Sequence, residues 1–153
     1  MLINKLFAYK EGLILNGVAI AMTGDGFKSV ADIMDEHVAV GKSFYFSTSY
    51  RFDKKKVRQL DMVLFYNKAE NVYYLGDITN IVSYGLNEDV PMDSEKYSPT
   101  AYVDIPMKNW ILATNVKKVQ LKDLHDLSFK GKAVDDLISN AKRGTKFYFT
   151  CQK

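Results

Sequence analysis

The side chains able to do acid–base, nucleophilic or metal chemistry are present in this chain but dispersed. Its two histidines, His37 and His125, lie far apart in sequence, and Cys151 is the single cysteine. No CxxC, HExxH, GxSxG, GxxxxGK[ST] or GxGxxG motif occurs. Asp32, Asp35 and Glu36 fall on one predicted helix without a converging fourth ligand, so they read as a solvated face. The adjacent acids Glu88-Asp89 and Asp135-Asp136 make poor dyads, because neighbours on a helix point apart. Nothing near Cys151 in sequence resembles a catalytic partner. The expectation is a protein that is not an enzyme, with no catalytic residue, metal or cofactor.

What stands out instead is charge and aromaticity. The net charge is +3, but residues 107–153 hold ten Lys and Arg against four Asp and Glu, whereas residues 1–106 hold eleven against fourteen. Such asymmetry points to a face for a polyanion. Aromatics make up 13% of the 153 residues, with ten Tyr and nine Phe, which favours strands and supplies faces for stacking. A single cysteine fits a reducing interior, and the apolar run Leu13–Met22 is too short to span a bilayer. A cytoplasmic protein without a membrane segment is expected.

The elements that must position these groups centre on Asp61–Ile81. Met62-Val63-Leu64-Phe65-Tyr66 is a strand, Asn67–Asn71 a turn, and Val72–Ile81 the returning strand. Gly76 inside it predicts a bulge or tight bend. Before this hairpin, Leu13–Met22 reads as a strand. Phe27, Val30, Ala31, Met34 and Val38 then take helical spacing over 27–38. Lys42–Ser47 is a strand, and Asp53 heads a capped helical turn with the basic run Lys54–Arg58. Ser83–Pro99 is a long acidic loop (Glu88, Asp89, Asp93, Glu95). Ala101–Met107, Trp110–Ala113 and Asn115–Leu121 read as strands. Leu121, Leu124 and Leu127 mark a short helix, with His125 on another face. Lys130-Gly131-Lys132 is a loop, 133–142 a helix with Gly144 as its stop, and Thr145–Cys151 a closing strand. One α+β domain over 1–153 is predicted: a mostly antiparallel curved sheet of about six strands, or a small open barrel, with flanking helices.

The runs KSFYFSTSY, VRQLDMVLFYN, VYYLGDITNIVSYG and AYVDIPMKNWILATNVKKVQLKDLHDL together resemble the EVE domain of the PUA-like superfamily, which also includes YTH and ASCH domains. The match spans about residues 42–150. Phe44–Ser47, Asp61–Tyr66, Leu75–Val82 and Tyr102-Val103-Asp104 stand for its strands, and Val119–Leu124 for its last basic segment. The chain departs from the pattern at Leu60, where the family has Gly, and at Asn67, where it has His. Residues 1–40 add a strand and a helix.

The resemblance implies a pseudo-barrel whose aromatic pocket receives a modified or flipped base, stacked on rings and read at its edge. The pocket would draw on Ser47 and Thr48, on Tyr66 and Asn67, and on Tyr84 or Trp110 for a wall. Lys117, Lys118, Lys142, Arg143 and Lys146 would contact phosphates. Nucleic acid is thus the expected partner. The alternative is a small protein-binding regulator or inhibitor of phage or mobile-element type, acting through the acidic 88–95 loop or the added N-terminal elements. A third reading is a nucleotide-directed enzyme built on Asp61 and Tyr66. The sequence leaves oligomeric state, ligand identity and DNA versus RNA open.

Overall fold

A run of consecutive apolar residues in a strand needs cover on both faces, and Met62–Tyr66 is buried throughout. The computed structural model describes residues 14–152. Its strands are β1 (Ile14–Ala21), β2 (Ser43–Thr48), β3 (Met62–Asn67), β4 (Val72–Ser83), β5 (Asn109–Val119), β6 (Leu127–Phe129), β7 (Lys132–Ala133) and β8 (Phe147–Gln152). Its helices are α1 (Val30–Val38), α2 (Lys54–Val57), α3 (Ser94–Tyr97) and α4 (Val134–Asn140), with 3₁₀ turns at Thr100–Tyr102 and Leu121–Asp126. The strands form one sheet in the order β2-β5-β4-β3-β1-β8-β6-β7. β1 pairs parallel with β3, placing Ala21 beside Tyr66, and every other pairing is antiparallel. The N-terminal strand β1 is therefore inside the sheet, between β3 and β8.

The sheet curls without closing into a barrel. Adjacent strands lie ~4.8 Å apart, so β2 and β3 would be about 14 Å apart if the sheet were flat. Yet the Phe46 and Phe65 rings sit 4.7 Å apart. Register shifts between β4 and β5, at Leu75/Asp77 and Ile78/Asn80, provide the bend. Gly76 sits at the first shift, as its position predicts, with Asn115 across from it in the left-handed region (φ 55°). A Cβ on Gly76 would lie 2.6 Å from Val116 Cγ2 and 3.0 Å from Val116 Cα.

The two faces have separate cores. On one, Leu15, Leu64, Leu75 and Phe149 pack against Leu124, Val134 and Ile138 of the second 3₁₀ turn and α4. On the other, Val18, Ile20, Val63 and Phe65 pack against Val30, Ile33 and Met34 of α1. Ser29 and Asp32 close a capping box on α1, and Glu70 from the β3–β4 turn accepts from Val30 N at 2.8 Å. The inward stripe differs from the expected one. Val30, Ile33, Met34 and His37 are buried, while Phe27 and Val38 are exposed. Asp25 and Lys28 bond to each other in a tight turn, which puts Phe27 at its apex before the helix begins.

The expected strand over 101–107 is absent. Pro99 initiates a 3₁₀ turn there, and Tyr102 packs on the His37 ring at 4.9 Å. Tyr102-Val103-Asp104 is thus not a strand. The two short strands read over 110–121 are one strand, β5. The predicted 133–142 helix ends at Asn140, where Ala141 turns extended. Gly144 does not stop that helix but permits close packing, since a Cβ there would meet Ala21 Cβ at 3.0 Å and Tyr66 Oη at 3.4 Å.

Candidate functional site

A cavity of about 270 Å³ opens where β3, the end of β6, α4 and the α4–β8 loop meet. Its aromatic walls are Tyr66, Phe129 and Phe147. Phe147 packs edge-on against Tyr66 at 6.1 Å and lies 5.8 Å from Phe129. Leu137, Ile138 and Ala141 form an apolar floor, and Lys68, Arg143 and Lys146 bring positive charge, with no carboxylate among the lining residues. These residues meet because β3 and β8 both flank β1, which brings the end of β3 near the start of β8.

The cations are held differently. The Lys68 ammonium donates to the carbonyls of Ser139 (2.8 Å) and Ala141 (2.6 Å), a favourable place for a cation at a helix C-terminus. The Lys146 ammonium donates to the Arg51 carbonyl and lies over the Phe52 and Tyr148 rings, at 5.3 and 5.2 Å. Its pKa is lowered, chiefly by burial; Asp53 acts to raise it and Lys56 to lower it. Arg143 is exposed. The Tyr66 hydroxyl donates to Thr145 O at 2.6 Å and accepts from Thr145 N at 2.9 Å. Burial raises its pKa, against the opposing bond from the Thr145 amide. Tyr66 therefore offers a ring to the cavity, while its hydroxyl secures the loop.

Of the residues singled out from sequence, Tyr66, Arg143 and Lys146 come together here. Asn67 instead builds the β3–β4 turn: its Nδ2 donates to Met22 O and its Oδ1 accepts from Glu70 N, both at 2.8 Å. Thr48 Oγ1 accepts from Tyr50 N, satisfying a turn, and Ser47 pairs in register with Trp110. Trp110 is fully buried, donates to Asp89 O at 2.9 Å and packs edge-on against Tyr45. Tyr84 lies nearby, its N–H bonded to Lys108 O. Lys117, Lys118 and Lys142 are not among the cavity's lining residues; the first two lie on β5, with Lys118 6.0 Å from the Tyr74 ring. Asp61 exchanges hydrogen bonds with the Asn16 backbone. Five residue steps of extended chain, roughly 16 Å, separate it from Tyr66, so the two form no dyad. Lys68, Phe129 and Phe147 were not singled out, since no local pattern marks which aromatics of neighbouring strands will face one another.

The acidic loop is anchored. Asp89 and Met107 pair through their backbones, and the Tyr45 hydroxyl donates to Asp93 at 2.8 Å. Burial and that carboxylate both raise the Tyr45 pKa. His125 pairs with Asp135 at 3.0 Å. Asp136 joins them with ligand atoms within 4.8 Å, closer than its adjacency to Asp135 led one to expect. Asp135 is already engaged by the imidazole and by the Asp136 N–H. Among the described residues no helix is long and apolar enough to cross a membrane.

Fold and site together define an α+β protein with a curled mixed sheet and a basic, aromatic-walled cavity. No family model matches the chain, and no curated protein or solved structure matches it significantly.

Proposed function

We propose that the protein binds nucleic acid, taking an unstacked base into the Tyr66–Phe147 cavity with a phosphate near Arg143 and Lys146. The carrying observation is the joining of three aromatic walls and three cationic side chains without a carboxylate in one cavity of about 270 Å³. Every base presents a π-face, and each stacking contact is worth ~1–3 kcal/mol. The cavity is slightly smaller than the usual ligand pocket of about 300–1,000 Å³, which suits one ring system. A modified base is the finer form of this reading and rests on the resemblance of residues 42–150 to the EVE domain.

The test is fluorescence anisotropy with labelled single- and double-stranded DNA and RNA, plain and modified, at two salt concentrations. Salt-sensitive binding that Arg143→Ala and Tyr66→Ala both weaken is expected. Arg143 is exposed, so its replacement separates binding from folding. Absence of binding to every probe at low salt sinks the reading.

One observation favours the protein-binding alternative. Leu86, Met92 and Ile105 are exposed among the exposed acids Glu88, Asp89, Asp93, Glu95 and Asp104, on a segment whose backbone is held in place. A basic partner with an apolar centre would suit that surface. A stoichiometric complex lost on Leu86→Asp and Met92→Asp would establish it; recovery of no stoichiometric partner would remove it.

A further inference from the structure

Phe129 lines two cavities. Beyond the one described above, a second of about 280 Å³ is lined by Phe129, Lys130, Tyr148, Phe149 and Lys56, among others, again with no carboxylate among its lining residues. The Lys130 ammonium lies 5.3 Å over the Phe129 ring that the two cavities share. Lys146 also joins them: it lines the first cavity, and its ammonium lies over Tyr148, which lines the second. Lys56 lies over the same Tyr148 ring at 4.6 Å, so two ammonium groups share one ring. The nearby carboxylate, Asp53, caps α2 by accepting from the Lys55 and Lys56 amides, at 2.9 and 3.0 Å.

We infer that the two cavities are consecutive subsites for one unpaired strand, so that the ligand is a single-stranded nucleic acid of at least two nucleotides. This rests on the nucleic-acid reading of the first cavity. Phe129 separates the two bases, and Lys56, Lys130 and Lys146 neutralise the phosphates that join and follow them. A duplex cannot deliver two neighbouring unstacked bases to two cavities that share one lining ring without melting, which disfavours it relative to a single strand.

The experiment compares a labelled nucleoside 5′-monophosphate, dinucleotide and hexanucleotide, of thymidine and of uridine, with a duplex of the same strand, across a salt series. The dinucleotide is expected to bind at least about tenfold more tightly than the mononucleotide. In the exposed double variant Lys56→Ala/Lys130→Ala that gain disappears, and the salt slope for the hexanucleotide falls by about one to two. Phe129→Ala weakens both mononucleotide and dinucleotide. Equal mononucleotide and dinucleotide affinities, or a double variant with unchanged dinucleotide affinity and slope, overturn the two-subsite inference while leaving the first cavity's reading intact. Duplex binding as tight as single-strand binding overturns the single-strand assignment. Binding of no probe overturns both.

Discussion

The Tyr66 hydroxyl and the Thr145 backbone exchange two hydrogen bonds, donating to the carbonyl at 2.6 Å and accepting from the amide at 2.9 Å. One phenol on β3 thereby fixes the loop leading into β8. Tyr66→Phe keeps the ring and removes both bonds. It is expected to cost about 0.5–1.5 kcal/mol, the usual net worth of a hydrogen bond, because Thr145 is exposed and its freed groups can reach water. Urea denaturation measures the loss, and faster hydrogen exchange at the Thr145 amide reports its location. An unchanged midpoint would mean that water substitutes for the hydroxyl.

His37 sits on the inward face of α1, its Nδ1 2.7 Å from the Ile33 carbonyl and its ring against Phe44, Phe46 and Tyr102. Burial holds its pKa below the ordinary 6.5. The unfolded chain therefore takes up a proton first as pH falls. Stability is full above about pH 6.5 and declines below it, towards the lower folded pKa. His125 works in the opposite sense. Its pairing with Asp135 raises its pKa, so its contribution is present below about 6.5 and fades as pH rises through the folded value. Being exposed, it contributes little. Melting temperatures between about pH 5 and 8 should fall on the acid side. His37→Phe should flatten that fall and His125→Gln should not. A His37→Phe curve parallel to the parent's would refute the assignment.

Gly76→Ala forces a methyl group against the Val116 backbone at the β4–β5 bend. A destabilisation of about 1–3 kcal/mol is expected, as for overpacking. Gly26→Ala, where nothing lies within 4 Å of the added Cβ, serves as the control. Equal denaturation midpoints for the two variants would show that the bend relaxes freely.

Trp110→Phe removes the bond from Nε1 to Asp89 O while keeping an aromatic ring against Tyr45. Hydrogen exchange over residues 84–93 should quicken, because that bond is one of the loop's anchors. Nucleic-acid affinity should stay within about twofold of the parent, inside the usual scatter of a distant, independent substitution. A larger loss would return Trp110 to the binding site, where the family resemblance put it.

Local signals predicted much of this chain correctly. The β3–β4 hairpin was legible because its five apolar residues run without a break and its turn formers lie at both ends. Asp53 as a cap, Gly76 as a bend and the β8 strand were legible for the same reason: each depends on chemistry within a few residues. The helix α1 was placed, and Val30 and Met34 face inward as read, but the ends of the stripe were not, since a capping box at Ser29 and a turn at Gly26-Phe27 exclude Phe27 from the helix. A buried histidine in the stripe also breaks a purely apolar count. The false strand at 101–107 shows the same limit, because alternation in sequence cannot report that Tyr102 is drawn onto His37.

What the sequence determined by itself was a sheet-dominated α+β chain, rich in aromatics, basic towards its end and without a catalytic motif. Tertiary structure decided the rest. Placing β1 between β3 and β8 brings Tyr66 to Thr145, residues 79 apart in the chain, and so creates the cavity with Phe129 and Phe147. Strand order is set by which pairing buries both sheet faces at once. That is a property of the whole chain, and no short stretch of residues encodes it.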